Sequence, residues 1–153
     1  MSPKPKLRNL TAKFRIKTVT VDFIKEMWSL SVDHIRPIIP DCDLYNELLK
    51  THSCPVFHGL GISVTNIDQE SRTAIADLVV ANGGSYNGTL DRNSVTHLVA
   101  GGLGGKKIKH ARSWGIEIVT MKWVEDSANR GFAQNTEQKE YKFSDERYFK
   151  KFS

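Results

Sequence analysis

Apolar and polar positions alternate between residues 61 and 132 in short blocks that predict a succession of small strands and helices. Residues 61–64 are apolar enough for a buried strand. Asp68 follows as a suitable N-cap, and the apolar positions after it share one face of a predicted helix. The pair Gly83-Gly84 is expected to end that helix.

The same alternation continues through the next thirty or so residues, at roughly the spacing expected for short strands and helices. Residues 85–86 predict a short strand, and the β-branched and apolar residues 95–99 predict a central one. A glycine-rich turn at residues 101–105 then leads into a helix that begins at Lys106 and ends near Trp114.

The pattern closes with one more strand and helix. Residues 117–119 predict the strand, Thr120 is placed to cap a helix over residues 121–130, and Gly131 is placed to stop it. The order is β-α-β-β-α-β-α. It predicts an α/β fold in which a small four-stranded parallel sheet is flanked by three helices.

An internal repeat relates the start of the chain to this last strand and helix. Residues 18–26 align with residues 118–126 through a strand end, a threonine at the cap position and an aromatic residue followed by a β-branched one. The match is short, so chance is the alternative. If the repeat is real, the start is the last strand and helix of a preceding domain of the same kind, too small to bury its own core.

The predicted layout is therefore a domain remnant over residues 1–31, a linker over 32–53, a complete domain over 54–132 and a polar tail over 133–153. The tail contains scattered aromatic residues, and it is interpreted either as a linker or as a strand that docks on the domain.

Length and cysteine content limit the class of protein. The 153 residues suffice for one ordinary domain with a short appendage, and no apolar run reaches the roughly 20 residues that cross a bilayer. Cys42 and Cys54 match neither a disulfide framework nor the spacing of redox or zinc motifs. We expect a soluble, unsecreted protein with reduced cysteines and no membrane contact.

The positive charge is concentrated at the start of the chain. Lys and Arg number 22 against 17 Asp and Glu, and residues 1–17 contain six of the basic residues and no acid. Residues 51–132 are close to neutral, which is a poor composition for binding a nucleic-acid backbone. The basic start is expected to be a mobile, solvated end, with weak DNA contact there as the alternative.

One group of residues has the chemistry of an anion site. Thr65 stands at the end of the first strand, and the helix at Lys106 and Lys107 opens with glycines. Such a helix start offers free N–H groups and a positive dipole end. The alternatives are that Thr65 only ends the strand and that the lysines are solvated, although cations oppose the dipole there.

Other chemistries fit less well. A nucleotide P-loop is excluded because its first glycine falls on Ala100 and its hydroxyl position on Lys107. His97 lies in a predicted core strand and is expected to be structural. No motif places a catalytic group, so we expect no enzyme and no cofactor. No metal site is expected either, because the residues that could serve as ligands are irregularly spaced: His34, Cys42, His52, Cys54 and His58.

The sequence resembles the BRCT family. The likeness lies in Gly83-Gly84 after the first helix, in residues 95–99 as the third strand, and in Trp123 within the last helix. Within the family it is most similar to the second repeat of the Cut/TopBP group. The residues that carry this second likeness are Cys54-Pro55-Val56-Phe57, Gly59, Val64-Thr65 and Gly131-Phe132.

The resemblance implies a phosphate site. In phosphopeptide-binding members, a Ser or Thr after the first strand, the next backbone N–H and a Lys at the start of the second helix hold the phosphate. These positions fall on Thr65, Asn66 and Lys107, with Lys106 as second choice for the lysine. Members of the Cut/TopBP group add a basic residue seven positions after the Thr, here Arg72. The alternative for Arg72 is an ion pair with an acid on its own helix.

The resemblance also implies a function. It predicts a non-catalytic module that binds phosphoserine or phosphothreonine peptides, in a nuclear scaffold for initiation of DNA replication and the DNA-damage checkpoint. The implied partners are phosphorylated replication-initiation and checkpoint proteins, not small molecules. A DNA-end-binding domain and a purely structural BRCT domain are the alternatives. The peptide motif around the phosphate is not predicted.

Overall fold

The structure is a computed structural model, and it describes residues 19–34 and 42–144. Two compact units divide the chain: one spans Ile16–Cys54, and the other contains Pro55–Ser153. The predicted DNA contact at residues 1–17 lies outside the described residues.

Four parallel strands form the sheet of the second unit, in the order β2-β1-β3-β4. The strands are β1 (Gly61–Thr65), β2 (Ser85–Tyr86), β3 (His97–Ala100) and β4 (Glu117–Val119). The helices of the whole chain are α1 (Val21–His34), α2 (Asp43–His52), α3 (Gln69–Ala81), α4 (Lys106–Trp114) and α5 (Met121–Arg130). The predicted α/β fold is confirmed in this unit, including the order of its elements.

The helices cover both faces of the sheet. Ile62 and Val64 of β1 join one buried cluster with residues of α3 and α5. Leu98 of β3 joins a second cluster with Ile108 and Ala111 of α4. Because side chains alternate along a strand, Ser63 and Thr65 of β1 face away from the first cluster, toward α4.

Local signals fix the ends of these elements. The Asp68 carboxylate accepts a hydrogen bond from the Ser71 N–H at 2.9 Å and caps α3 as predicted. Gly131 ends α5 in the left-handed region, also as predicted. Thr120 is the N-cap residue of α5, as predicted, but it forms no side-chain capping bond, and its hydroxyl donates to the Glu140 carbonyl at 3.0 Å.

The first unit is a pair of helices with a small core. Phe23 of α1 is buried against Leu48 and Leu49 of α2, and Val19 forms an antiparallel bridge with Ser53. All of α2 falls in the segment predicted as a linker, so this segment is not irregular throughout. The interpretation of residues 1–31 as a domain remnant stays a prediction.

The predicted polar tail packs on the second unit as far as it is described. Tyr141 is fully buried, and its hydroxyl donates to the Asp126 carboxylate at 2.8 Å. Burial and that carboxylate raise the pKa of Tyr141 to about 12. The Trp123 indole donates to the Gln134 carbonyl at 2.8 Å. Of the two interpretations of the tail, docking therefore holds for residues 133–144.

Three further features of the sequence can be compared with the structure. His97 is buried and stacks on Trp123, with ring centroids 4.7 Å apart, which fits the structural role expected for it. Within the described ranges, no group of His, Cys, Asp and Glu could hold a metal ion. None of the described helices is long and apolar enough to cross a membrane.

Candidate anion-binding site

The carboxyl end of β1 and the start of α4 meet at one edge of the sheet. Thr65 closes β1, is buried, and accepts a backbone hydrogen bond from Gly101 at 3.1 Å. Its hydroxyl has no hydrogen-bond partner among the residues that the structure describes. The hydroxyl is not one of the buried polar atoms that lack a partner, so it is open to solvent and available to a ligand.

Asn66 turns the chain away from β1. It is the one described residue other than glycine with a positive φ, at 54°. Its Nδ2 atom donates to the carbonyls of Gly102 at 2.9 Å and Gly104 at 3.0 Å. The residue after Thr65 therefore contacts the loop that leads into α4.

The start of α4 is open. Gly105 occupies the N-cap with a φ of 96°, and no side chain caps the first N–H groups of the helix. Uncapped N–H groups and the positive end of the helix dipole favour an anion. Lys106 is exposed and Lys107 is half-buried.

The Lys107 ammonium group reaches back over β1. Nζ donates to the carbonyls of Gly88 at 2.7 Å and Val64 at 3.1 Å, and it lies 3.4 Å from the Ser63 hydroxyl. Burial, and then the charge of Arg72, lower the pKa of Lys107. The ammonium group is thus partly desolvated beside a like charge.

Arg72 does not pair with an acid on its own helix. Its Nη2 donates to the Ile67 carbonyl at the long distance of 3.5 Å, and its Nε is buried without a partner. The neighbouring Asp68 carboxylate is occupied by the cap of α3. In the described part of the chain, no carboxylate forms an ion pair with Arg72, Lys106 or Lys107.

The structure therefore brings together three of the five predicted residues: Thr65 and Asn66 at the end of β1, and Lys107 over β1. Arg72 contacts the Ile67 carbonyl, and its charge lowers the pKa of Lys107. Lys106 is exposed at the same helix start, and within the described ranges no hydrogen bond or ion pair joins its side chain to the other predicted residues.

Sequence reasoning missed two features of this edge. Ser63 lies in a strand whose five residues are all buried. Because a buried hydroxyl needs a hydrogen-bond partner, a serine in this strand could have indicated a polar contact. The Asn66 side chain was also missed, since only its backbone N–H was predicted to matter. The tolerance of Asn for the left-handed region was the available signal.

The fold and this edge define a small α/β domain with an open cationic site. Residues 60–123 match the family model of the twin BRCT domain, and this part of the chain is a BRCT domain. The resemblance found in the sequence is confirmed.

Relatives agree with this identification. The chain is 35% identical over 83 residues to the S-M checkpoint control protein rad4 of Schizosaccharomyces pombe, covering 54% of this chain and 13% of rad4. It is 36% identical over 75 residues to the PAX-interacting protein 1 of Mus musculus, covering 48% of this chain and 7% of that protein. The chain thus spans only a small part of the length of these curated relatives.

A solved structure matches more of the chain. The crystal structure of Rad4 BRCT1,2 in complex with a Crb2 phosphopeptide has a TM-score of 0.70 and 27% sequence identity, and the match covers 92% of this chain and 72% of that one. A second complex, with a Mdb1 phosphopeptide, has a TM-score of 0.72 and 28% identity, with 92% and 73% covered.

Proposed function

We propose that this BRCT domain is a non-catalytic module that binds a phosphoserine or phosphothreonine peptide. The observation that carries the proposal is the position of Lys107, whose Nζ donates to the Val64 carbonyl beside Thr65 at 3.1 Å and which, like Arg72, has no described carboxylate partner. Two like charges in a partly buried place disfavour each other, and a bound dianion would neutralise both.

The phosphate would be held from two sides. On one side lie the Thr65 hydroxyl and the backbone N–H of Asn66. Lys107 lies on the other, at the uncapped start of α4, and Arg72 closes over the phosphate. Lys106 would stand at the rim as an additional charge. Hydrogen bonds to a charged group contribute about 1.5 to 3 kcal/mol each, so these few contacts suffice for measurable selectivity.

The likeness to Rad4 BRCT1,2 supports this function, because that protein was crystallised with phosphopeptides of Crb2 and Mdb1. BRCT domains are in general protein-interaction modules rather than enzymes. By the same likeness, the partners would be phosphorylated replication-initiation and checkpoint proteins, and the setting would be the nucleus.

We also propose that the start of the chain is the end of a preceding BRCT repeat. Val19 forms a bridge and α1 begins at Val21, as Val119 ends β4 and α5 begins at Met121. The same spacing of strand and helix supports the repeat that the sequence suggests.

The test is a fluorescence-anisotropy titration against a degenerate phosphoserine and phosphothreonine peptide library and its unphosphorylated twin. The wild type should prefer the phosphorylated library. Lys107→Ala should weaken that binding roughly ten- to a hundredfold, the equivalent of one charged hydrogen bond. A Thr65→Val, Lys107→Ala double variant should lose the preference altogether.

Lys109→Ala is the matched control, because Lys109 is exposed on the same helix and its loss changes the net charge equally. It should bind like the wild type. Equal affinity of the wild type for both libraries would refute the proposed function. Equal weakening by Lys109→Ala and Lys107→Ala would refute the site and point to a general charge effect.

A further inference from the structure

The two halves of the proposed phosphate site come from distant parts of the sequence. Thr65 ends β1, whereas Lys107 lies in α4 after a loop of mostly glycine, residues 101–105. Glycine has more conformational freedom than any other residue, and Gly104 and Gly105 both adopt positive φ values. Such a loop does not by itself hold α4 at a fixed distance from β1.

Asn66 adds side-chain bonds to this loop, beside the backbone hydrogen bond from Gly101 to Thr65 and the packing of α4 on the sheet. Its Nδ2 atom donates to the carbonyls of Gly102 and Gly104 at 2.9 and 3.0 Å, and the Leu103 carbonyl lies 3.4 Å away. Both amide hydrogens are therefore used within the loop. Among the described residues, no other side chain hydrogen bonds to these carbonyls.

We propose that the Asn66 side chain is a positioning residue that fixes the 101–105 loop, and through it the start of α4 and Lys107, against the end of β1. This inference rests on the proposed function, and it goes beyond it. The predicted role of Asn66 was its backbone N–H alone, whereas here the side chain sets the geometry of the opposite half of the site.

The backbone of Asn66 allows a clean substitution. Its φ of 54° is strained for most side chains, but both Asn and Gly adopt it readily. Asn66→Gly therefore keeps the turn and the backbone N–H and removes the side-chain bonds, while adding some backbone freedom at position 66. Asn66→Ala would add backbone strain and is the less informative variant.

The loop is tested first without any ligand. Backbone amides of residues 101–107 should exchange with deuterium faster in Asn66→Gly than in the wild type, while the amides of α3 and α5 should be unchanged. Asn93→Gly is the control, because it is also a replacement of Asn by Gly, and Asn93 is exposed in a turn away from the loop. Unchanged exchange in the loop would overturn the positioning role.

The phosphate site is tested by a double-mutant cycle. The ratio of affinities for phosphorylated and unphosphorylated peptide is measured for the wild type, Asn66→Gly, Lys107→Ala and the double variant. Asn66→Gly should lower this ratio roughly three- to tenfold, the weight of one or two neutral hydrogen bonds. If Asn66 acts through Lys107, the double variant should be no weaker than Lys107→Ala alone.

The outcomes separate the two proposals. A wild type without phosphate preference overturns the proposed function and with it the phosphate role of Asn66. A wild type that prefers phosphate and depends on Lys107, but tolerates Asn66→Gly, overturns the positioning role alone. Effects of the two substitutions that multiply independently would also overturn it, because they show that Asn66 does not act through Lys107.

Discussion

Lys107 is a residue of the proposed site whose charge depends on its surroundings. Burial and the charge of Arg72 lower its pKa in the free protein, so it loses its proton more readily than an exposed lysine. A bound phosphate would have the opposite effect and favour the charged form. Binding and protonation of this one side chain are therefore coupled.

This coupling predicts how affinity depends on pH. Only the protonated lysine binds phosphate well, so phosphopeptide affinity should fall as the pH rises through the lowered pKa of Lys107. Well above that pKa, the contribution of Lys107 should fall by about tenfold per pH unit until it is lost. The affinity is measured above pH 8, where the phosphate, with its second pKa near 6, is already a dianion.

Lys107→Arg is the control for that titration, because arginine stays charged throughout the accessible range. Its phosphopeptide affinity should change little over the same pH range. If the variant shows the same fall as the wild type, another group is responsible.

At the scale of residues, the sequence predicts a role where a residue type and its position along one element suffice. Thr65 and Lys107 were predicted as candidates for an anion site because they stand at a strand end and a helix start. Ser63 and the Asn66 side chain were not found, because their partners lie 44 and 36 to 38 positions away in sequence. Only the packing of α4 against the sheet makes those contacts.

At the scale of elements, the approach of β1 to the segment before β3 leaves no room for a side chain. A Cβ atom on Gly61 would lie 1.7 Å from the Ser94 carbonyl oxygen, which is backbone and cannot swing aside. Gly61→Ala should therefore force the two central strands apart and destabilise the domain by about 3 kcal/mol, or more if the backbone cannot relax.

Chemical denaturation measures this loss of stability. Gly88→Ala is the control, because a Cβ atom there meets nothing within 4 Å. It should unfold within about 0.5 kcal/mol of the wild type, as ordinary surface substitutions do. Equal stability of Gly61→Ala and the wild type would mean that β1 and the Ser94 backbone are less closely packed than described.

Element boundaries were predicted well where a local signal marks them. Asp68 and Gly131 are such signals, since a cap and a stop act within a few residues. The docking of residues 133–144 was left open, because the burial of Tyr141 depends on Asp126 and the sheet rather than on its sequence neighbours. The bond from the Thr120 hydroxyl to the Glu140 carbonyl was not predicted for the same reason, although Thr120 is the N-cap residue as expected.

At the scale of the whole molecule, the two units have cores of very different size. Among the residues that the structure describes, the helix pair buries three apolar side chains, Phe23, Leu48 and Leu49, whereas the larger cluster of the second unit alone buries twelve. Stability grows with buried apolar area, so the helix pair should open far more often than the BRCT domain.

Limited proteolysis with trypsin tests this difference. Cleavage after Lys25 in α1 and Lys50 in α2 should precede cleavage after Lys109 in α4, and a fragment containing residues 55–144 should persist. Digestion of the denatured protein controls for the intrinsic reactivity of each site. Simultaneous cleavage at all three lysines in the native protein would contradict the expected difference in stability.

The antiparallel bridge between Val119 and Lys142 has a consequence for the behaviour of the protein in concentrated solution. β4 lies at one edge of the sheet, and an uncovered edge offers its backbone to the edge of another molecule. Here the edge of β4 is covered by the polar segment 133–144, which pairs with it through Lys142. A polypeptide that stops at residue 132 would expose that edge together with the apolar surface beneath Tyr141, and its molecules would tend to aggregate. Solubility of the domain thus depends on residues that lie beyond its last helix.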